Sequence, residues 1–289
     1  MSKVHETITN KIIEELEKGN IPWRKPWKGS ENNPKNLISG KAYSGINFFL
    51  LSMSCFESNY FLTFNQAKNL GGSVMKGQKG LPIIFYGIGK SKDTLEGEKP
   101  KGFSFLKSYT VFNIAQCENL DHSRIEEAKT FEPLEFNPIE EAEAIVNNFK
   151  GKPKITSIEN SAYYRPITDT VNMPNKDNFL GIDEYYATLF HELTHSTGAK
   201  KRLSRPEVTD QHFFGSSDYS KEELTAELGS AFLCSQAGID NTLKNSVGYL
   251  QSWLKVLKSK DNSKWIIEAS SKAQKATNYI NGITKPVAV

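Results

Sequence analysis

The stretch Leu189-Phe190-His191-Glu192-Leu193-Thr194-His195-Ser196-Thr197-Gly198 constrains this chain more than any other. His191-Glu192-x-x-His195 can hold a metal ion only on a helix, where positions i and i+4 share a face and both imidazoles reach one point. Glu192 lies beside the pair, placed to take a proton from water bound there. The preceding Asp183-Glu184-Tyr185-Tyr186-Ala187-Thr188 reads as an N-cap and acidic first turn, and Gly198 as the C-terminal stop. Two of the five His of the chain fall in this motif. The competing reading is a pair of surface His on an amphipathic helix.

A site of this kind needs a third protein ligand, with one position left for water. Ser220-Lys221-Glu222-Glu223-Leu224-Thr225-Ala226-Glu227-Leu228-Gly229-Ser230-Ala231 is the expected source. Ser220 and Glu223 have capping-box spacing, which gives Glu223 a structural task at a helix start. Glu227 lies one turn further in, among small residues that let this helix approach the first, and a carboxylate there needs a partner. The expected ligands are therefore His191, His195 and Glu227, with Glu223 beside them or as the alternative third ligand. His212, in a loop, is a weaker candidate. A His2Glu set suits Zn2+ and also takes Mn2+, Co2+ or Ni2+. The segment Ala162 to Pro174 reads as a strand just before the motif helix, a candidate edge for pairing with an extended peptide. The turn Lys200 to Pro206 reads as solvated basic residues.

The charge is unevenly spread. Through Leu120 there are 16 Lys and Arg against 10 Asp and Glu, a net of +6, and the remainder has 20 against 23, a net of −3. A basic first part suggests a polyanionic partner. Between Asn20 and Thr110 the count is 13 basic to 5 acidic. In this region Pro22-Trp23-Arg24-Lys25-Pro26-Trp27-Lys28 interleaves two Trp with three cations, residue types that stack on unpaired bases and meet phosphates. Trp23, Arg24, Lys25, Trp27 and Lys28 are candidate DNA contacts, the alternative being Trp anchored in a core. Tyr43, Asn47, and Lys76 and Lys79 of the Gly-rich loop Gly71 to Gly80 complete the candidate set. That loop lacks the spacing of a nucleoside-triphosphate P-loop, and a plain turn is its other reading. Leu81–Tyr86 and Phe103–Phe112 read as a hairpin with a charged tip.

Length and punctuation divide the chain into a first domain at 1–120, an acidic Pro-containing linker at 121–138 and a second domain at 139–289. Helices are expected over Val4–Lys18, Ile139–Phe149, Tyr249–Leu257 and Trp265–Ile280 from their apolar spacing. Three scattered Cys without a CxxC pair fit reduced thiols and a cytoplasmic protein. No apolar run approaches about 18 residues, so no membrane partner is expected. The polar N-terminus does not read as a signal peptide.

The whole pattern resembles the ArdC-type antirestriction proteins of conjugative plasmids and other mobile elements. In the first part the resemblance rests on Pro22-Trp23-Arg24-Lys25-Pro26-Trp27, Tyr43-Ser44-Gly45-Ile46-Asn47, Thr63-Phe64-Asn65-Gln66-Ala67, Lys76-Gly77-Gln78-Lys79-Gly80 and Val111-Phe112-Asn113-Ile114-Ala115-Gln116. In the second it rests on Thr168-Asp169-Thr170-Val171-Asn172-Met173-Pro174, the His191 motif and Glu222-Glu223-Leu224-Thr225-Ala226-Glu227. The resemblance implies an α+β protein of two domains, an N-terminal single-stranded DNA-binding domain and a C-terminal zincin-like metallopeptidase domain. It implies protection of incoming DNA from host restriction. Three function classes stand at this point. The first is a DNA-binding protein with an active zinc peptidase, Glu192 its base and a protein, such as a restriction component, its substrate. The second is a DNA-binding protein whose metal site is structural. The third, ranked last, is a metal-dependent nuclease, because such sites favour oxygen-rich, two-metal ligand sets.

Overall fold

The computed structural model describes residues 3–21, 33–54, 56, 58–90, 102–121, 137–210, 216–239, 247–259, 262 and 264–283. The chain is α+β and folds as two compact units. The first holds residues 1–8, 34–131 and 288–289, and the second holds 9–33 and 132–287.

Helix α1 (Lys3–Glu17) carries the expected apolar stripe, with Ile8, Ile12 and Leu16 buried. The first unit then runs β1 (Lys35–Asn36), α2 (Ile46–Ser52), β2 (Tyr60–Thr63), α3 (Phe64–Asn69), β3 (Ser73–Val74), β4 (Leu81–Lys90), β5 (Gly102–Asn113) and β6 (Cys117–Glu118). Strands β1-β2-β5-β4 form a four-stranded sheet, and β3 pairs with β6. The expected hairpin is β4–β5, antiparallel in register from Leu81↔Val111 to Lys90↔Gly102. The turn from β2 into α3 is locked by a capping box. The Thr63 hydroxyl accepts the Gln66 N–H, and the Gln66 side chain accepts the Thr63 N–H.

One sheet face is closed by α2, whose Leu51 packs with Phe61 and Val111. Asn47 of α2 is 1% exposed. Its side-chain amide donates to the Ile84 carbonyl at 2.7 Å and accepts the Ile84 N–H at 2.8 Å. It fills the open edge of β4 as a strand would.

The second unit comprises α4 (Pro138–Asn148), β7 (Lys154–Thr156), β8 (Tyr163–Arg165), β9 (Thr170–Asn172), α5 (Ile182–Ser196), a single turn α6 (Pro206–Thr209), α7 (Ser217–Ala237), α8 (Val247–Lys258) and α9 (Trp265–Ile280). The three short strands make a sheet of order β7-β9-β8. The expected single strand at Ala162–Pro174 is two strands and a turn. Pro166 has no N–H for a ladder, and Asp169 takes the left-handed conformation (φ 49°). Strands β7 and β8 are the edges, and β8 packs on α5. Helix α7 is apolar around most of its circumference and packs against α4, α5, α6 and α9, so it is the axis of this unit. Phe190 and Leu193 of α5 and Leu233, Cys234 and Ala237 of α7 belong to one core with Phe149, Val171 and Ile280.

Candidate metal centre

The motif is helical, as its spacing requires. Helix α5 begins at Ile182 with Gly181 as N-cap, and Asp183 and Glu184 lie in its first turn rather than capping it. Glu184 instead accepts the Leu180 N–H at 2.9 Å. Gly198 is not a left-handed stop. A Cβ there would lie 2.4 Å from a Val208 methyl and 3.0 Å from the Arg205 guanidinium, so close packing calls for glycine.

Helix α7 starts one turn earlier than the Ser220 capping box would have it. Ser216 is the N-cap, its hydroxyl accepting the Tyr219 N–H at 3.2 Å. That frees Glu223 from the capping task and turns it to the His pair. Among the described residues, His191, His195 and Glu223 are the set of His, Cys, Asp or Glu whose donor atoms all lie within 4.8 Å of one another. The structure thus brings the alternative third ligand, Glu223, into this set, and not Glu227. Glu227 sits a turn beyond, half-buried, and acts on His191 through its charge.

The distances fit an ion. His191 Nε2 and His195 Nε2 are 3.1 Å apart, His191 Nε2 and Glu223 Oε2 3.5 Å, and His195 Nε2 and Glu223 Oε1 3.6 Å. Donors on one tetrahedral ion, with bonds of about 2.0–2.2 Å, stand about 3.4 Å apart. The set fits a divalent cation, and those three residues would hold it.

Two helices must approach closely to bring these donors together, and Gly229 is where they do. A Cβ on Gly229 would lie 2.5 Å from Thr194 Cγ2 and 2.7 Å from its Oγ1. Beside this contact the Ser230 hydroxyl donates to the Ala187 carbonyl at 2.7 Å, joining α7 to α5.

A buried carboxylate orients one ligand. Glu222, 5% exposed, lies 3.1 Å from His195 Nδ1. With the proton on Nδ1 donated to Glu222, Nε2 presents its lone pair to the donor set. Arg205, also 5% exposed, clamps Glu222 through Nε at 2.9 Å and a terminal nitrogen at 2.5 Å. It also donates to Thr197 Oγ1 at 2.6 Å and the Thr194 carbonyl at 2.8 Å, so one guanidinium fastens the end of α5 to α7. The arginines of the turn read as solvated are engaged. Arg202 binds Asp169 with two nitrogens at 2.7 and 2.9 Å, and Lys201 reaches the same carboxylate at 2.6 Å.

Electrostatics bear the same mark. Burial opposes a charge on His191, but the Glu223 hydrogen bond and the Glu227 and Glu192 charges outweigh it and lift its pKa to about 9. Burial would raise Glu223, yet the two imidazoles bring it down to about 2. Tyr219 is pushed up to about 12 by burial, Glu223 and Glu192. Its phenol stays protonated beside both carboxylates. Glu192 itself is 8% exposed.

Of the other candidates, Trp23, Arg24, Lys25, Trp27, Lys28 and His212 lie outside the described residues. Asn47 is committed to the β4 edge. Tyr43 is half-buried, packed on the α2–sheet core, and its hydroxyl accepts from the Asn36 amide at 3.3 Å. Lys76 and Lys79 are exposed in the loop before β4, available to a phosphate chain. Sequence reasoning missed Glu222, Tyr219 and Arg205. The only signal was Glu222 one residue from Glu223, and an Arg in a basic turn says nothing of burial.

Comparison with known proteins covers both halves. Residues 140–272 match the zincin-like metallopeptidase family, and residues 2–112 match the N-terminal domain of the anti-restriction factor ArdC. Crystal structures of the antirestriction ArdC protein from plasmid R388 superpose with TM-score 0.75 in two forms. The metal-free form is 35% identical, with 98% of each chain covered. The Mn(II)-bound form is 34% identical, over 99% of this chain and 100% of that one. A DNA primase TraC of Escherichia coli is 33% identical over 96% of this chain, which spans only 20% of the primase. The uncharacterized protein y4eC of Sinorhizobium fredii is 32% identical over 96% of this chain and 91% of its own length.

Proposed function

Because this chain belongs to the family of the ArdC antirestriction proteins, we propose that it binds single-stranded DNA and shields entering DNA from restriction. We place DNA binding in the N-terminal part of the chain, through residue 120, where the sequence is basic, and the metal centre in the second unit. Likeness to part of a DNA primase supports contact with DNA.

The role we propose for the metal centre is structural. The observation that carries this is the origin of the ligands: His191 and His195 come from α5, Glu223 from α7. An ion held by them cross-links the two central helices of its unit and neutralises a carboxylate in a half-buried site. We name Zn2+ for the His2Glu set, with Mn2+ as in the R388 relative.

The placement of Glu192 favours a second reading, proteolysis. It is almost buried beside the His pair, and its charge reaches both His191 and Tyr219. A bound divalent ion would supply a Lewis acid there. Glu192 would take the proton of an attacking water, and the Tyr219 phenol would donate to the developing oxyanion.

Restriction protection in recipient cells, comparing wild type, Glu192→Gln and His191→Ala/His195→Ala, separates the two. The structural role predicts that Glu192→Gln protects as wild type does and that the His double variant loses metal and stability. Loss of protection in Glu192→Gln, with fold and metal content intact, would establish hydrolysis instead. For DNA, affinity should fall with rising salt and favour single strands over duplex at matched salt.

A further inference from the structure

The face of the β4–β5 hairpin that is buried at its base emerges into solvent at its outer end. Val111 and Ile83 on this face lie in or against the core with Phe61. In the antiparallel register Ile83 faces Tyr109, Phe85 faces Lys107 and Gly87 faces Phe105, so these six side-chain positions share one face. Beyond the core the face carries Phe85 at 37% and Tyr109 at 45% exposure, with Phe105 half-buried. The rings form one cluster: Phe85 and Phe105 have centroids 6.4 Å apart, Phe85 and Tyr109 6.3 Å. Phe105 lies over Gly87, where a Cβ would come within 2.4 Å of its ring, so the missing side chain seats the aromatic. Lys107 Nζ stands 5.1 Å from the Phe105 centroid.

Three aromatic rings half in water on a rigid ladder are an interaction surface rather than a core. Charge decides the partner. The ten residues of β4 and the twelve of β5 include two Lys and no Asp or Glu. A pair of strands without a carboxylate that shows aromatic faces and a cation matches bases with their phosphates. We propose that Phe85, Phe105 and Tyr109 form a stacking platform for the bases of single-stranded DNA, with Lys107 on the adjoining phosphate. This deepens the reading under Proposed function, on which it rests. Tyr86, 59% exposed, points to the opposite face and lies outside the platform.

The test is fluorescence anisotropy of labelled oligo(dT) with the full-length protein across a salt series. Phe85→Ala/Tyr109→Ala should weaken binding, each lost stacking contact costing about five- to 150-fold. Phe85→Leu/Tyr109→Leu, which keeps apolar bulk and fold, should weaken it too because the flat faces are gone. Lys107→Gln should flatten the salt slope by roughly 0.7. Tyr86→Ala should bind as wild type does. If wild type binds and both double variants bind equally well, the platform is refuted while DNA binding stands. If wild type itself does not bind, the reading beneath falls and this inference with it. Loss of self-association in the variants at unchanged DNA affinity would assign the face to a second copy of the chain and overturn the proposal.

Discussion

Replacing Gly229 by Ala tests whether the α5–α7 approach sets the metal centre. The added methyl would stand 2.5 Å from Thr194 Cγ2 and 2.7 Å from Oγ1, where carbon atoms normally keep about 3.5–4.0 Å. Turning Thr194 does not relieve it. Two γ atoms share three staggered positions, so the two that face Gly229 cannot both be vacated. The Thr194 hydroxyl is also bonded to the Phe190 carbonyl at 2.7 Å. The helices must therefore separate by about 1 Å, and overpacking of this kind costs about 1–3 kcal/mol. Metal sites tolerate only about 0.2 Å at each bond, so Glu223 would be carried out of range and affinity should fall by at least about tenfold. Thr194→Ala removes both obstructing atoms. The double variant should recover affinity and be less destabilised than the two single costs together, by about 1–3 kcal/mol. Urea unfolding of the metal-free protein and titration with Mn2+ or Zn2+ measure both quantities. A Gly229→Ala protein within about 0.5 kcal/mol of wild type at unchanged affinity, or additive behaviour in the cycle, would refute the reasoning.

Other perturbations follow from the same geometry. Glu222→Ala should cost about 3–5 kcal/mol, because it strands the buried Arg205 guanidinium, and should weaken metal binding about 10–100-fold by releasing His195; chemical unfolding and metal titration check both, and unchanged affinity would show that His195 needs no anchor. Metal binding should release a proton below about pH 9, since His191 is protonated up to that value in the metal-free protein and must be neutral to ligate. Apparent affinity then rises about tenfold per pH unit towards 9, and calorimetric heats that ignore the buffer's ionisation enthalpy would contradict this. Burial would raise Asp169, but Arg202 and Lys201 outweigh it and hold the folded carboxyl far below its unfolded value of about 3.9. The stability it adds is full above that value and is lost as pH falls towards the folded one. Asp169→Asn should therefore destabilise at pH 7 and flatten the acid limb of the urea midpoint, and parallel curves would rule the contact out as a source of stability.

Much of this was legible where period and spacing carry the information. The His191–His195 repeat demanded a helix, and α5 supplies it. The stripe at Ala142, Ile145, Val146 and Phe149 marked α4, and the apolar run Leu81 to Tyr86 after its turn marked the first strand of the hairpin. What escaped depended on where one helix begins. A start at Ser220 puts Glu223 to work as a cap and leaves Glu227 for the metal. Ser216 is an equally good N-cap, and choosing it rotates the roles by one turn. Burial of charge escaped for a different reason. Arg202 and Arg205 are read from sequence as solvated cations, and only the carboxylates of Asp169 and Glu222, distant in the chain, make their burial affordable. Asn47, read as a candidate DNA contact, bonds the β4 edge, because an amide serves a base edge and a strand edge with the same donor and acceptor.

That last ambiguity bears on mutational mapping of this protein. Alanine at position 47 would leave an amide and a carbonyl of β4, a strand of the hairpin that carries the aromatic cluster, without their partner. Both groups are buried, so leaving them without a partner costs about 1–3 kcal/mol each, and such a variant should unfold more readily and read as weakened in any assay of DNA retention. A hit at this position therefore needs an unfolding curve beside the binding curve before it counts as part of a footprint.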